Sequence, residues 1–348
     1  MRNQVLPSEA INKSGAVMVN VAMWGQALRI IPRITHEEWE ELDIISRWLV
    51  ASRAAVFVMT FISAALAGLF AQLHGQFTWL PWVLVTMGLI MAHASNNLIN
   101  DFIDFVKGVD RDNYSRTQYG PQTVESGLLS KGQILTYIAV TGILAVIPGI
   151  VLAISGGRDV WLLMFVGAFF VLFYTWPLKY IGMGEMAVML VWGPLMIGGG
   201  YLVITGVWDW NVVIASLPYA ISVTTVLFGK HIDKIEDDRE RGIHTLPVII
   251  GEKAARYAVL LMMASQYALI VYLVVVGFLS PIMLVVLLGL TRFWNIQSLF
   301  RQPKPDSPPD EYEGNWPLWF VSLAFWHNRR YGALFMFGLL TEVFIRAL

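Results

Sequence analysis

The chain has 348 residues, 56% hydrophobic and 14% charged, a balance that excludes an ordinary soluble domain and indicates a polytopic membrane protein. A formal net charge of −1 offers no basic surface for nucleic acid, and the absence of cysteine excludes disulfides and thiol catalysis. The polar N-terminal stretch lacks a short apolar core followed by a small-residue cleavage site, so no signal peptide is expected.

Residues 1–30 are mixed in character. A helix start follows: Thr35 suits an N-cap, Glu38 stands at N3, and Ile34 and Trp39 can form a hydrophobic staple. The helix predicted after Thr35 puts Trp39, Leu42, Ile45 and Trp48 on one side and Glu37, Glu40, Glu41 and Arg47 mostly on the other. That pattern predicts a helix on the membrane surface leading into the first span. Nine spans are predicted: Leu49–Ala71, Leu80–Ile99, Gln133–Ile154, Val160–Trp176, Gly184–Thr205, Val212–Phe228, Tyr257–Leu279, Ile282–Leu299 and Tyr331–Ile345. Most approach the roughly 20 residues a bilayer requires. Trp316–Trp326 is a short apolar piece expected at the interface, with His327, Arg329 and Arg330 separating it from the final run. The expected organisation is a cytoplasmic N-terminal segment with an interfacial helix (1–48), a core of eight spans (49–299), a cytoplasmic linker and interfacial segment (300–330), and a ninth span (331–348).

With nine spans, 22 of the 24 Lys and Arg residues fall on the side of the N-terminus, leaving only Arg158 and Arg346 on the other. That bias predicts the N-terminus in the cytoplasm and the C-terminus outside.

The stretch NNLINDFIDFVKGVD, Asn96 to Asp110, ends the second span. On a helix Asn97, Asp101 and Asp104 share one face, His93 lies one turn earlier, and Asp110 follows Gly108. Carboxylates clustered at the mouth of a membrane helix repel one another and are costly to desolvate, and an all-oxygen donor set suits Mg²⁺. A second acidic cluster, in GKHIDKIEDDRERG, follows the sixth span. There Asp233 and Asp237 are i and i+4, Glu236 and Glu240 flank them, and Asp238 points aside on a continuous helix. Two acidic helix ends on one membrane face can hold Mg²⁺ ions with a diphosphate between them. The loop after the first cluster offers Arg116 and a Gly120–Pro121 turn. The fourth span ends FYTWPLKYIGMGE, with Tyr174, Lys179, Tyr180 and Glu185, and Lys179 is the only basic residue of that connection.

NNLINDFIDFVKGVD followed by GPQTVESGLLS resembles the first signature of the UbiA superfamily of intramembrane prenyltransferases. NLxND, a further Asp and KGxD are most similar to its 1,4-dihydroxy-2-naphthoate polyprenyltransferase branch. YTWPLKYIGMGEMAVMLVWGPLMIGGGYLVITG resembles the same branch, and IEDDRERGIHTLPVIIG resembles the second acidic signature. The resemblance implies an all-α bundle of nine transmembrane helices, Mg²⁺, a polyprenyl diphosphate donor and an aromatic acceptor. Carried over, it implies Asp101, Asp104 and Asp237 as catalytic. It implies Asn97, Lys179, Arg116 and Tyr174 around the diphosphate, and Asn97, Asp101, Asp104, Asp110, Asp233, Asp237 and Asp238 as the metal set. Two departures stand out: the second signature reads Asp233-Lys234-Ile235 where the branch usually has Arg-Asp-Ile, and Ser52-Arg53-Ala54 replaces an Arg-Pro common in the first span.

The leading expectation is Mg²⁺-dependent prenyl transfer to 1,4-dihydroxy-2-naphthoate in menaquinone biosynthesis, in the cell (inner) membrane if the source is bacterial, with the active site facing the cytoplasm and membrane lipid as a further partner. Alternatives are another acceptor such as 4-hydroxybenzoate, a terpene cyclase of the same superfamily, or a cation transporter. A transporter would place its acids near the bilayer midplane, whereas these lie at helix ends on one face.

Overall fold

The computed structural model describes residues 19–109, 121–307, 309 and 316–347. Asp110, Arg116, Gly120 and residues 308 and 310–315 of the Pro-rich linker lie outside the described residues. Every regular element among the described residues is helical. The N-terminal region forms α1 (Val21–Ala27), α2 (His36–Glu40) and α3 (Ile44–Ala51). The bundle follows with α4 (Ala54–Leu73), α5 (Trp79–Val106), α6 (Lys131–Gly156), α7 (Arg158–Phe173), α8 (Gly184–Thr205) and α9 (Trp210–Asp233). Short α10 (Ile235–Glu240) and α11 (Leu246–Ile250) precede α12 (Glu252–Val275), α13 (Pro281–Phe300) and α14 (Trp319–Ala347). Seven of these (α4, α5, α6, α8, α9, α12 and α13) are long and apolar enough to cross a membrane.

The other two predicted spans take different forms. α7 has 16 residues, short of the roughly 20 of a full crossing. α14 is one 29-residue helix, so the predicted interfacial piece and the predicted ninth span are continuous. Within the polar run His327–Arg330, which looks like a break in hydropathy, His327 and Asn328 are taken into the bundle, while Arg329 and Arg330 are exposed. The His327 ring lies 2.9 Å from the Tyr267 hydroxyl, and the Asn328 amide donates to the Ser222 carbonyl at 2.6 Å and Thr225 Oγ1 at 2.9 Å.

The surface helix expected after Thr35 is divided. Its capping box forms as the sequence indicates, with Glu38 N–H donating to Thr35 Oγ1 at 3.3 Å and Thr35 N–H to Glu38 Oε2 at 2.8 Å. Two residues past the end of α2 the chain stops and restarts at Asp43, an unforeseen N-cap. The Asp43 carboxylate accepts N–H groups of Ile45 and Ser46, the Ser46 hydroxyl at 2.6 Å, the Asn20 N–H and the Trp24 indole N–H. It therefore docks α1 onto α3. Burial alone would raise the Asp43 pKa, but the hydrogen bonds, those from Ser46 foremost, overcome it and hold the carboxyl well below the usual carboxylate range. A second break falls at Arg53, which has a left-handed backbone (φ 56°) and turns the chain into α4.

The main core joins α4, α8, α9, α12, α13 and α14 around Phe70, Ile197, Met283 and Tyr331, all fully buried. Residues 191–198 of α8 are π-helical around Pro194. α9 and α14 touch backbone to backbone: a Cβ on Gly229 would stand 2.7 Å from the Phe320 carbonyl oxygen and 2.8 Å from Val321 Cα.

That contact sets one expectation. Gly229→Ala should push α14 off α9 and cost about 1–3 kcal/mol. A thermal-unfolding shift in detergent measures it, and an unchanged midpoint would mean the two backbones are not in contact. A second follows from Asp43. An acid whose pKa falls on folding contributes stability fully present above its unfolded value near ~3.9 and lost as pH drops below it. Asp43→Asn should therefore speed hydrogen exchange of residues 20–46 at neutral pH. The wild type should gain comparable exchange, corrected for intrinsic rate, only on acidification through and below that range.

Candidate active site

Two short helical breaks bring cations to the acidic end of α5. Asp101 and Asp104 are both buried, at 1% and 2% exposure. Arg53, on its left-handed turn, pairs with Asp101, whose other oxygen accepts the Thr123 hydroxyl at 3.4 Å. The Asn97 side-chain amide donates to the Ser52 carbonyl at 2.8 Å and so fixes the turn that aims Arg53. A left-handed conformation costs a non-glycine residue about 1–2 kcal/mol, which this pairing offsets. Beyond α7, a 3-10 turn over Leu178–Ile181 delivers Lys179, whose ammonium donates to both Asp104 oxygens at 3.0 and 3.3 Å. Gly182 ends that turn at φ 75°, and a Cβ there would meet the tip of the Ile249 side chain. Asn96 and Asn100 tie α5 to the same connection, donating to the Val171 carbonyl and Thr175 Oγ1.

The second acidic cluster is organised differently from a continuous helix. The chain breaks at Lys234 (φ −127°, ψ 28°), between α9 and α10, and the break rotates everything after it. Asp238, expected to point aside, is the buried acid at 3% exposure. Its Oδ1 accepts the Lys234 ammonium at 2.5 Å, and its Oδ2 is buried with no hydrogen-bond partner among the described residues. Asp237 is half-buried. Asp233 serves elsewhere: its two oxygens accept the Phe320 and Val321 N–H groups at 2.8 and 3.0 Å, capping the N-terminus of α14. Both Asp233 oxygens thus make hydrogen bonds to the first turn of α14. Lys304 lies close enough to feel the charge of Asp233 and Asp237.

Tyr174 links the two clusters, lying within electrostatic reach of Glu185, Asp104 and Asp238. Glu185 is itself buried at 1% exposure, 2.5 Å from His231 Nδ1, and accepts the Leu246 N–H at 3.3 Å. Of this set Arg53, Asn97 and Tyr174 reach a cavity of about 730 Å³ that runs into the bundle. Arg53, Asn97, Tyr174 and Lys230 line it at the ionic end, and His93 and Trp192 lie deeper among aliphatic side chains.

Of the residues predicted from sequence, Asp101, Asp104, Lys179, Asn97, Tyr174 and Asp238 come to this region, while Asp237 stays at its edge. Arg53, Lys234 and the Glu185–His231 pair were not foreseen as partners. Only the substitution of Arg53 into an otherwise Arg-Pro context and the Asp233-Lys234 inversion signalled that anything unusual lay there.

The sequence pattern of the UbiA prenyltransferase family matches residues 61–328, from α4 into α14. The UbiA prenyltransferase domain-containing protein 1 homolog of Drosophila melanogaster is 26% identical over 221 residues, 63% of this chain but only 60% of the fly protein's length. The 1,4-dihydroxy-2-naphthoate octaprenyltransferase of Bacillus subtilis is 24% identical over 244 residues, 69% of this chain and 78% of that one. Among solved structures, a digeranylgeranylglyceryl phosphate synthase shares the fold with a TM-score of 0.59 at 17% identity, over 85% of this chain and 97% of that one. A UbiA homolog from Archaeoglobus fulgidus bound to DMAPP and Mg²⁺ shares it with a TM-score of 0.56 at 16% identity, over 83% of this chain and 99% of that one. With the family pattern spanning most of the bundle and both acidic signatures within it, this chain belongs to the UbiA prenyltransferase family.

Proposed function

We propose that the chain transfers a polyprenyl group from a polyprenyl diphosphate to an aromatic acceptor, 1,4-dihydroxy-2-naphthoate, in menaquinone biosynthesis. The observation that carries this reading is a largely apolar cavity of about 730 Å³ with Arg53, Asn97, Tyr174 and Lys230 in its lining, where Arg53 pairs with buried Asp101 and Tyr174 lies within electrostatic reach of the pairs Lys179–Asp104 and Lys234–Asp238. A polyprenyl diphosphate has the matching shape: a highly charged head and a long apolar tail. The bacterial relative named as a naphthoate prenyltransferase supports the choice of acceptor.

The residues present fit Mg²⁺. Their donors are carboxylate oxygens, and the Asp238 Oδ2 is buried without a partner. No three His, Asp or Glu side chains among the described residues form a cage. Mg²⁺ does not need one, since it is commonly held by one or two carboxylates with water and substrate phosphate completing the shell. Asp101, Asp104 and Asp238 would hold it, and when bound it supplies charge neutralisation to the leaving diphosphate. Arg53, Lys179 and Lys234 stand beside the same acids, so a diphosphate arriving there meets ammonium and guanidinium donors already in place. The apolar walls hold the tail and exclude water from the allylic carbon while it carries positive charge.

The charge bias of the connections supports an active site facing the cytoplasm, in the inner membrane if the source is bacterial. A reporter active only in the cytoplasm should work when fused after Lys131 or Glu240 and fail after Gly157 or Asp209. The reverse pattern at either of the first two sites would put the acids on the other face.

The chemistry is tested with geranylgeranyl diphosphate, Mg²⁺ and 1,4-dihydroxy-2-naphthoate. Asp101→Ala and Asp238→Ala should each lose about 10²–10³-fold in rate, the scale of a lost electrostatic stabiliser. The double variant should lose far less than the product, as groups acting together do. Asp237→Ala should fall much less. Near-full activity in a folded Asp238→Ala protein would move the far wall of the site to Asp237. Turnover of 4-hydroxybenzoate in place of the naphthoate would assign a different acceptor with the same ionisation step.

A further inference from the structure

Resting on the prenyl-transfer reading, we infer that His93 is the proton acceptor for the acceptor's ring hydroxyl, with Thr60 fixing its tautomer and Trp192 forming the wall against which the ring lies. His93, Asn97, Asp101 and Asp104 run down one stripe of α5. His93 is eight residues before Asp101, about 12 Å along the axis at ~1.5 Å per residue. That separation matches the layout the reaction requires: diphosphate at the charged end, the reactive C1 of the prenyl chain next, and the attacking ring beyond it. His93 lines the cavity, one helical turn before Asn97, which lines it too.

The local geometry suits a hydroxylated ring. The Thr60 side chain is fully buried, and its Oγ1 lies 2.7 Å from His93 Nδ1. In the assigned tautomer Nδ1–H donates to Thr60 Oγ1, which leaves Nε2 with its lone pair. Nε2 makes no hydrogen bond among the described residues. The Trp192 ring meets the imidazole edge-on, with centroids 5.3 Å apart, and Phe57 packs on the imidazole at 5.6 Å. Trp192 sits in the π-helical segment, where the extra residue per turn re-aims side chains and which is common at functional sites. Of the charged groups near the imidazole, Arg53 acts on it from the turn before α4. Lys230 of α9 and Tyr174 are the other ionisable side chains at the ionic end of the cavity, whereas α4 and α8 present Thr60, Phe57 and Trp192, none of which titrates there.

The step balances as follows. The C1–O bond of the donor breaks, its electron pair leaving on diphosphate. A ring-carbon pair forms the new C–C bond to C1 while the ring O–H proton passes to Nε2, giving a ketone and an imidazolium. The alkylated carbon then loses its substituent, as H⁺ taken up by the released diphosphate or, for a carboxylate, as CO₂. The pair returns to the ring, and the oxygen takes its proton back from Nε2.

The test uses full-length protein with geranylgeranyl diphosphate, Mg²⁺ and 1,4-dihydroxy-2-naphthoate, and a series of naphthols graded by hydroxyl acidity. His93→Gln should lower kcat for transfer about 10²-fold, the usual scale of general-base catalysis. Donor KM should stay within about twofold, because the groups on diphosphate are untouched. The defect should shrink with the more acidic naphthols, which need less help in losing a proton. Thr60→Val, a smaller change in the packing, should show the same pattern at about tenfold, and it carries the test if His93→Gln does not fold. Transfer at the wild-type rate in either folded variant overturns the assignment, as does a loss that ignores acceptor acidity or raises donor KM in parallel. A wild-type protein that leaves the donor intact overturns the prenyl-transfer reading itself, a result distinct from all of these.

Discussion

Three carboxylates buried near one end of a membrane bundle cannot stand unneutralised, and the irregular parts of this chain are where their counter-charges come from. An isolated ionised group in a medium of low dielectric costs many kcal/mol, and breaking a buried pair costs about 3–5 kcal/mol. Arg53 reaches Asp101 from a left-handed turn, Lys179 reaches Asp104 from a 3-10 turn, and Lys234 reaches Asp238 from the break between α9 and α10. Each cation is thus delivered by a place where regular helix stops. The stops are stabilised in turn: the Asn97 side-chain amide donates to the Ser52 carbonyl, and Gly182 closes its turn at φ 75°, a conformation L side chains rarely adopt.

This dependence explains what was legible in the sequence. The hydrophobic runs and the shared face of Asn97, Asp101 and Asp104 follow from local periodicity, and the capping box of Thr35 and Glu38 from a three-residue spacing, so all could be read directly. The partners could not. Arg53 and Asp101 are separated by 48 positions, and Lys179 and Asp104 by 75, and nothing local encodes such pairings. The face of Asp238 was misread for a related reason: a helical wheel drawn across Lys234 assumes the very continuity that Lys234 breaks. His327–Arg330 looked like a boundary because hydropathy registers polar side chains without knowing that Tyr267, Ser222 and Thr225 receive His327 and Asn328.

Asp233 shows how the second cluster is built into the fold. Its carboxylate caps α14 while the Gly229 backbone, one turn earlier, lets α14 approach α9. A charged group at a helix N-terminus is well matched to the N–H groups and the dipole there. The same short segment of α9 therefore anchors the last helix and, just past its end, presents Lys234 and Asp238. One consequence is that two acids five positions apart end in different settings: Asp233 caps a helix, and Asp238 has one buried oxygen with no hydrogen-bond partner among the described residues.

Forming an allylic cation makes two demands that conflict within one chamber. Departure of a diphosphate calls for dense charge and hydrogen-bond donors, whereas survival of the cation calls for a dry, weakly nucleophilic wall. α5 separates them along its length. Its last two turns carry the paired acids, Asn97 closes off the polar zone, and the turns before it pass between aliphatic side chains. The N-terminal region contributes to the same division, since Ile31, carried on the segment that Asp43 docks, also lines the cavity, and His36 lies 2.7 Å from the Ser126 carbonyl in the loop that supplies Thr123 to Asp101. Within the apolar zone a neutral imidazole is the least costly way to supply a proton acceptor: unlike a carboxylate it needs no counter-ion, and one hydroxyl is enough to orient it. Thr60 provides that hydroxyl beside His93, so the deep end of the cavity can take up a proton without importing the ionic machinery that the shallow end requires.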